Sequence, residues 1–155
     1  MKKKFLMLAA VLLAVLLALT GCGAAEKSAR TAEAPAETSG PIIEPQAIAD
    51  YLFEYGELPP NFITKKEAQA LGWDSSRNYL SDVAPGMSIG GDHFGNYEGQ
   101  LPRVKGRKYY ECDANYTGGR RGAERIVYSN DGHVYYTRDH YQTFTELFPS
   151  ETADK

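Results

Sequence analysis

Near the end of the chain, Asp139-His140-Tyr141-Gln142-Thr143-Phe144 sets a histidine between an acid and a phenol. Upstream lie Glu111-Cys112-Asp113 and Arg120-Arg121, with Arg125 four residues beyond Arg121. A carboxylate, an imidazole and several guanidiniums are the groups that metal-free cleavage of RNA requires. One takes a proton, one returns it, and the cations hold the phosphate. Unperturbed glutamate titrates near 4.3 and unperturbed histidine near 6.5, so at a pH of about 5 to 6 the first is mostly ionised and the second mostly protonated.

For these groups to meet, the elements that carry them must present them on one side. Residues 45–55 read as a helix, with Pro45 at its start, Ile48 and Leu52 beside Tyr51 and Tyr55 in two apolar rows, and Gly56 as its stop. Thr64 and Glu67 form a capping-box pattern that opens a second helix ending at Gly72. A third, short helix over residues 79–84 is stopped by Pro85-Gly86. Beyond Gly86 come β-favouring runs at 88–94, 108–115, 124–129, 133–137 and 143–147, with Asn130-Asp131-Gly132 as a hairpin turn. Helices first and strands later predict an α+β domain, its N-terminal helices packed on one face of an antiparallel β-sheet of about five strands.

Alternation along the strands sorts the sheet into two faces. Cys112, Ala114, Ile126 and Tyr128 should face the helices, leaving Glu111, Asp113, Arg125 and Val127 on the other, open face. Glu111 and Arg125 can then meet across neighbouring strands within reach of one phosphate. The same spacing equally allows Glu111 and Asp113 simply to pair with Arg125 and Arg121. For Asp113 the expected role is structural, orienting the arginines. His93 and His133 read as ordinary surface or core residues.

The N-terminus carries Lys2, Lys3 and Lys4 and then an apolar run over residues 5–19, shorter than the ~20 residues of a membrane span. It ends in Leu19-Thr20-Gly21-Cys22, which resembles a bacterial lipobox. This predicts a signal peptide over 1–21, a lipidated Cys22 and a disordered tether to residue 41, a domain over 42–148 and a C-terminal tail over 149–155. The expected location is outside the cytoplasm, anchored by lipid to the outer face of the bacterial membrane or secreted. With Cys22 modified, Cys112 stands alone, which excludes a disulfide and makes it a small buried hydrophobe. No cysteine or histidine spacing resembles a metal site, and no cofactor is implied.

Loss of the leader leaves 14 basic residues against 20 acidic ones, an unpromising balance for a partner of nucleic acid. Between Arg103 and Arg125 the balance reverses, with seven basic residues against three acidic. Affinity for a polyanion must therefore come from a local cleft.

From Ala49 to Leu147 the chain resembles the barnase-like family of microbial guanyl-preferring ribonucleases. The resemblance is carried by Ala49-Asp50-Tyr51-Leu52, Leu58-Pro59, Ile63-Thr64-Lys65, Glu67-Ala68-Gln69-Ala70-Leu71-Gly72-Trp73, Asp82-Val83-Ala84-Pro85-Gly86, Ser88-Ile89-Gly90-Gly91-Asp92, Asn115-Tyr116-Thr117 and the run from Asp139 to Thr145. It implies the α+β architecture, Glu111 as general base and His140 as general acid in forming a 2′,3′-cyclic phosphate, and Lys65, Arg121 and Arg125 as the cations on the phosphoryl group. It further implies a guanine-recognition loop at Phe94, Asn96, Tyr97 and Glu98, with Glu98 accepting from the guanine edge, and an aromatic role for Tyr141 beside the histidine. Tyr97 departs from the family, which has arginine there. The implied partners are single-stranded RNA and a small acidic barstar-like inhibitor, with the domain a monomer. A catalytically quiet binding module of the same fold, or a toxin ribonuclease, remain the other readings.

Overall fold

The computed structural model describes residues 40–151, so the expected leader, the Cys22 lipidation position and nearly all of the tether lie outside the described residues. Helix α1 spans Pro45–Tyr55, with Pro45 in its first turn, and it ends where Gly56 adopts φ 73° and returns its N–H to the Leu52 carbonyl. Only glycine takes that left-handed conformation without a Cβ penalty. Helix α2 covers Lys65–Ala70 and opens on the expected reciprocal cap: Glu67 N–H donates to Thr64 Oγ1 at 3.2 Å while Thr64 N–H donates to Glu67 Oε2 at 2.8 Å. It stops short of Gly72 because Leu71 already closes the last turn against the Glu67 and Ala68 carbonyls. Helix α3 is a single turn, Leu80–Val83.

The sheet has six strands in sequence order: β1 Phe62–Ile63, β2 Ser88–Phe94, β3 Tyr109–Asp113, β4 Arg125–Ser129, β5 Val134–Thr137 and β6 Thr145–Leu147. The α+β architecture is as expected, with one correction: β1 adds a sixth strand, and it runs parallel to β2 in an otherwise antiparallel sheet. Two residues are too few to show an alternating pattern, so β1 is invisible to periodicity. Strand β6 begins two residues later than the 143–147 run predicts, because Thr143 gives both its N–H and its hydroxyl to Asp139 instead of to the ladder.

Cys112, Ala114 and Ile126 face α1 and join Ile48, Ala49, Leu52 and Val134 in one core, with Tyr128 packed against it. A second cluster gathers Ala68, Trp73, Leu80, Ala84, Ile89 and Tyr116 between α2, α3 and β2. The opposite sheet face is not open as expected. Leu101, Tyr109, Val127 and Tyr135 form a third cluster there, with Phe94, Tyr141 and Phe144 packed on it. Glu111, Asp113 and Arg125 are consequently buried, at 8%, 2% and 5% exposure. Charges so placed need partners, since an unpaired buried ion costs several kcal/mol.

Candidate active site

Asp113 is the anchor of the site's cations. Arg121 forks onto it, Nε and Nη2 donating to the two carboxylate oxygens at 2.7 and 2.6 Å, and Arg125 Nε lies 3.1 Å from Oδ1. That last contact is an ion pair without hydrogen-bond alignment. Register explains it, because Asp113 and Arg125 are direct partners across β3 and β4. Arg125 Nη1 also donates to the Gly122 and Glu124 carbonyls, and the Arg121 guanidinium sits 5.9 Å from the Trp73 ring. Both guanidiniums are thus oriented before any ligand arrives. The sequence allowed Glu111 to pair with Arg125; the structure instead gives both arginines to Asp113.

Glu111 pairs elsewhere. Lys65 Nζ donates to its Oε1 at 2.7 Å and Tyr141 Oη donates to its Oε2 at 2.5 Å. Burial pushes the Glu111 carboxyl upward, but the bonds from Lys65 and Tyr141 and the charges of Lys65 and Arg125 outweigh it, and the net shift is below the ordinary glutamate value. The same contact raises the Tyr141 phenol, through burial first and Glu111 second. Lys65 is aimed by the start of α2, where its own N–H donates to Asp92 Oδ2 at 2.9 Å. Asp92 reaches it through a β-bulge at Gly91, whose φ is 89°. Close packing fixes the residue before it, since a Cβ on Gly90 would lie 2.6 Å from that of Cys112. Cys112 itself is free and buried, its thiol raised well above the ordinary value by burial.

His140 is exposed and lies on a loop with consecutive left-handed residues, His140 at φ 58° and Tyr141 at φ 74°. Conformations of this kind cost of order 1–3 kcal/mol each and persist only when neighbours enforce them. Asp139 supplies the enforcement. Its carboxylate accepts from Thr137 Oγ1, Gln142 N, Thr143 N and Thr143 Oγ1 at 2.6 to 3.0 Å, which holds its pKa down to about 2. Thr137 Oγ1 in turn accepts from Tyr141 N–H at 3.0 Å. The acid beside the histidine therefore staples the loop, a role the sequence reading did not assign.

His140, Arg121 and Arg125 line one cleft of about 620 Å³, together with Trp73, Tyr79 and Arg120. Tyr141 joins this cleft to the carboxylate and to the loop after β2: its ring lies 4.6 Å from that of His140 and 5.2 Å from that of Phe94, while its hydroxyl holds Glu111. In the loop, Tyr97 is 85% exposed and Glu98 is exposed. Asn96 is buried, and its amide is committed to the Leu101 backbone, donating at 2.8 Å and accepting at 3.0 Å. Its side chain therefore shapes the loop instead of facing a ligand. Among the described residues no three His, Cys, Asp or Glu side chains gather where they could hold a metal ion.

An imidazole and two oriented guanidiniums lining one cleft, linked through Tyr141 to a carboxylate that Lys65 holds ionised, can exchange protons with, and stabilise, an anionic phosphoryl centre. Comparison with known proteins decides the lineage. A family model described as ribonuclease matches residues 46–147. The chain belongs to the ribonuclease family. It is 55% identical over 100 residues to a ribonuclease of Bacillus intermedius, covering 64% of this chain and 62% of that one, so the match spans less than two thirds of that relative. A ribonuclease of Heyndrickxia coagulans is 54% identical over 100 residues, covering 64% of this chain and 92% of its own length. A crystal structure of ribonuclease Sa2 with guanosine-2′-cyclophosphate is 35% identical, covers 39% of this chain and 65% of that one, and has a TM-score of 0.34.

Proposed function

We propose that this member of the ribonuclease family is a metal-independent endoribonuclease that cuts single-stranded RNA on the 3′ side of guanosine. The observation that carries the reading is the way the charges are held. Asp113 orients Arg121 and Arg125, Lys65 and Tyr141 keep Glu111 ionised, and His140 lines the cleft with the two arginines.

Glu111 takes the proton from a ribose 2′-hydroxyl as O2′ bonds to the adjacent phosphorus. The bond to the 5′-oxygen of the next nucleotide breaks, and His140 protonates that leaving oxygen. The products are a 2′,3′-cyclic phosphate and a free 5′-hydroxyl. Water then opens the ring with roles exchanged: His140 removes its proton and Glu111 protonates the departing O2′. Lys65, Arg121 and Arg125 offset the charge that accumulates on the phosphoryl oxygens. Phe94, Tyr97 and Glu98 receive the base, Glu98 accepting from the N1 and N2 positions of guanine while loop N–H groups meet O6. The same cations suit a small acidic inhibitor of barstar type, and the domain acts as a monomer. Export follows from the leader, with a lipid on Cys22 as the anchor.

Incubation of the domain from Ile42 onward with an RNA containing one guanosine tests the activity. The expected outcome is a fragment ending in a 2′,3′-cyclic phosphate, unaffected by chelator, with Glu111→Gln or His140→Ala slowing it by about 10²–10⁴-fold. Binding of the RNA without cleavage at any pH would make the chain a binding module. For the anchor, Cys22→Ser should release the full-length protein from the membrane fraction, and equal release of the wild type would refute it.

A further inference from the structure

Arg103 opens the basic stretch but lies outside the segments that carry the family resemblance, and its guanidinium reaches back into the loop after β2. Nη2 donates to the Tyr97 carbonyl at 3.1 Å and stands 3.5 Å from the Asn96 carbonyl, which also accepts from Gly99 N–H at 3.1 Å. Gly99 makes room for it: with φ +68°, it would place a Cβ 3.4 Å from Arg103 Nη2. Two further fasteners hold the loop. The Asn96 amide bonds both the N–H and the carbonyl of Leu101, and the Tyr97 ring lies on Gly95, where a Cβ would stand 2.3 Å from the ring.

In a trans peptide the N–H points opposite to the carbonyl of the same plane, and every described peptide here is trans. Holding the Asn96 and Tyr97 carbonyls toward Arg103 therefore turns the Tyr97 and Glu98 N–H groups away from it. A guanine edge presents a keto oxygen where adenine presents an amino group, so fixed N–H donors accept the first and reject the second. A peptide free to flip would offer a carbonyl instead, which suits the adenine amino group.

We propose that Arg103 is a positioning residue for base selection, locking the Asn96–Tyr97 and Tyr97–Glu98 peptides with their N–H groups facing a purine keto oxygen beside the Glu98 carboxylate. This rests on the guanosine preference proposed above. The chain has tyrosine where its family carries a loop arginine, and Arg103 returns a cation to the loop from outside, acting on the backbone.

The test is kcat/KM for GpA and ApA with the wild-type protein, Arg103→Ala and Arg103→Lys, with thermal unfolding of each. Arg103→Ala should lower the GpA to ApA ratio by about tenfold or more, with the change on GpA in KM more than kcat and no fall on ApA. Arg103→Lys, which can hold one carbonyl but not span both, should fall between. A wild type that prefers GpA while Arg103→Ala keeps the full ratio overturns the inference and leaves the guanosine reading intact. Equal losses on both dinucleotides overturn it too, assigning Arg103 to phosphate binding or stability. Equal wild-type rates on GpA and ApA would remove the guanosine preference and the inference with it.

Discussion

The cation cluster around Asp113 and the loop from Gly95 to Leu101 hold their donors by different means. Arg121, from the β3–β4 connection, and Arg125, on β4 in register opposite Asp113, are fixed by that carboxylate, which is itself 2% exposed. The loop is fixed by backbone carbonyls and one buried amide, with its ring and carboxylate in solvent. The groups proposed to meet phosphate are locked by buried charge, which tolerates little change. The loop groups proposed to meet the base are locked by uncharged main-chain and amide acceptors, one contact buried and the Arg103 contacts part-buried or exposed, which tolerate more. The departure of Tyr97 from the family pattern falls in the second region.

Asp113→Ala should give the largest effect. It leaves two guanidiniums without their shared carboxylate, that of Arg125 almost wholly buried, and destabilisation of about 3–5 kcal/mol is expected in urea unfolding, with cleavage lost in the fraction that folds. A loss under about 1 kcal/mol would mean that backbone carbonyls alone hold the arginines, and the contrast between the regions would fail. Asp139→Ala comes next. Freed from its staple, the His140 loop should relax its two left-handed residues, lowering kcat by about ten- to a hundredfold while the sheet stays folded. The sign with pH follows from its low pKa. The stabilisation is complete above the ordinary aspartate value of 3.8 and is lost as pH falls from there through about 2. A variant whose acid unfolding matches the wild type would show that the carboxylate does not brace the loop.

Much of the fold was legible from the residues because local chemistry and tertiary structure agree. Pro45, Gly56, the Thr64–Glu67 box and the Asn130-Asp131-Gly132 turn all act where they stand. Alternation placed Glu111, Asp113 and Arg125 on one face, and that holds. Alternation could not say that the face is covered, because Leu101, Phe94 and Phe144, which cover it, arrive from loops and from other strands. Nor could it choose between two carboxylates as partners for two arginines; that choice depends on Lys65 and Tyr141 reaching Glu111 from distant elements. The staple of Asp139 had a signal in the threonines at 137 and 143, which are near enough in sequence to bond it. Arg103 was visible only as one charge of the basic stretch, since a side chain that bonds main-chain carbonyls leaves no pattern of residue types.

The proposed reaction depends most on Glu111 acting as a base kept ionised in a largely buried setting. The pH dependence of kcat/KM on GpA, for wild type and Tyr141→Phe, examines it directly, since this profile reports groups in the free protein. The wild-type acid limb should lie below the ordinary glutamate value, and loss of the Tyr141 hydroxyl, which favours the ionised form, should move that limb to higher pH. An acid limb at or above the ordinary value, or one that stays in place when the hydroxyl is removed, would contradict the assignment of Glu111 as the base.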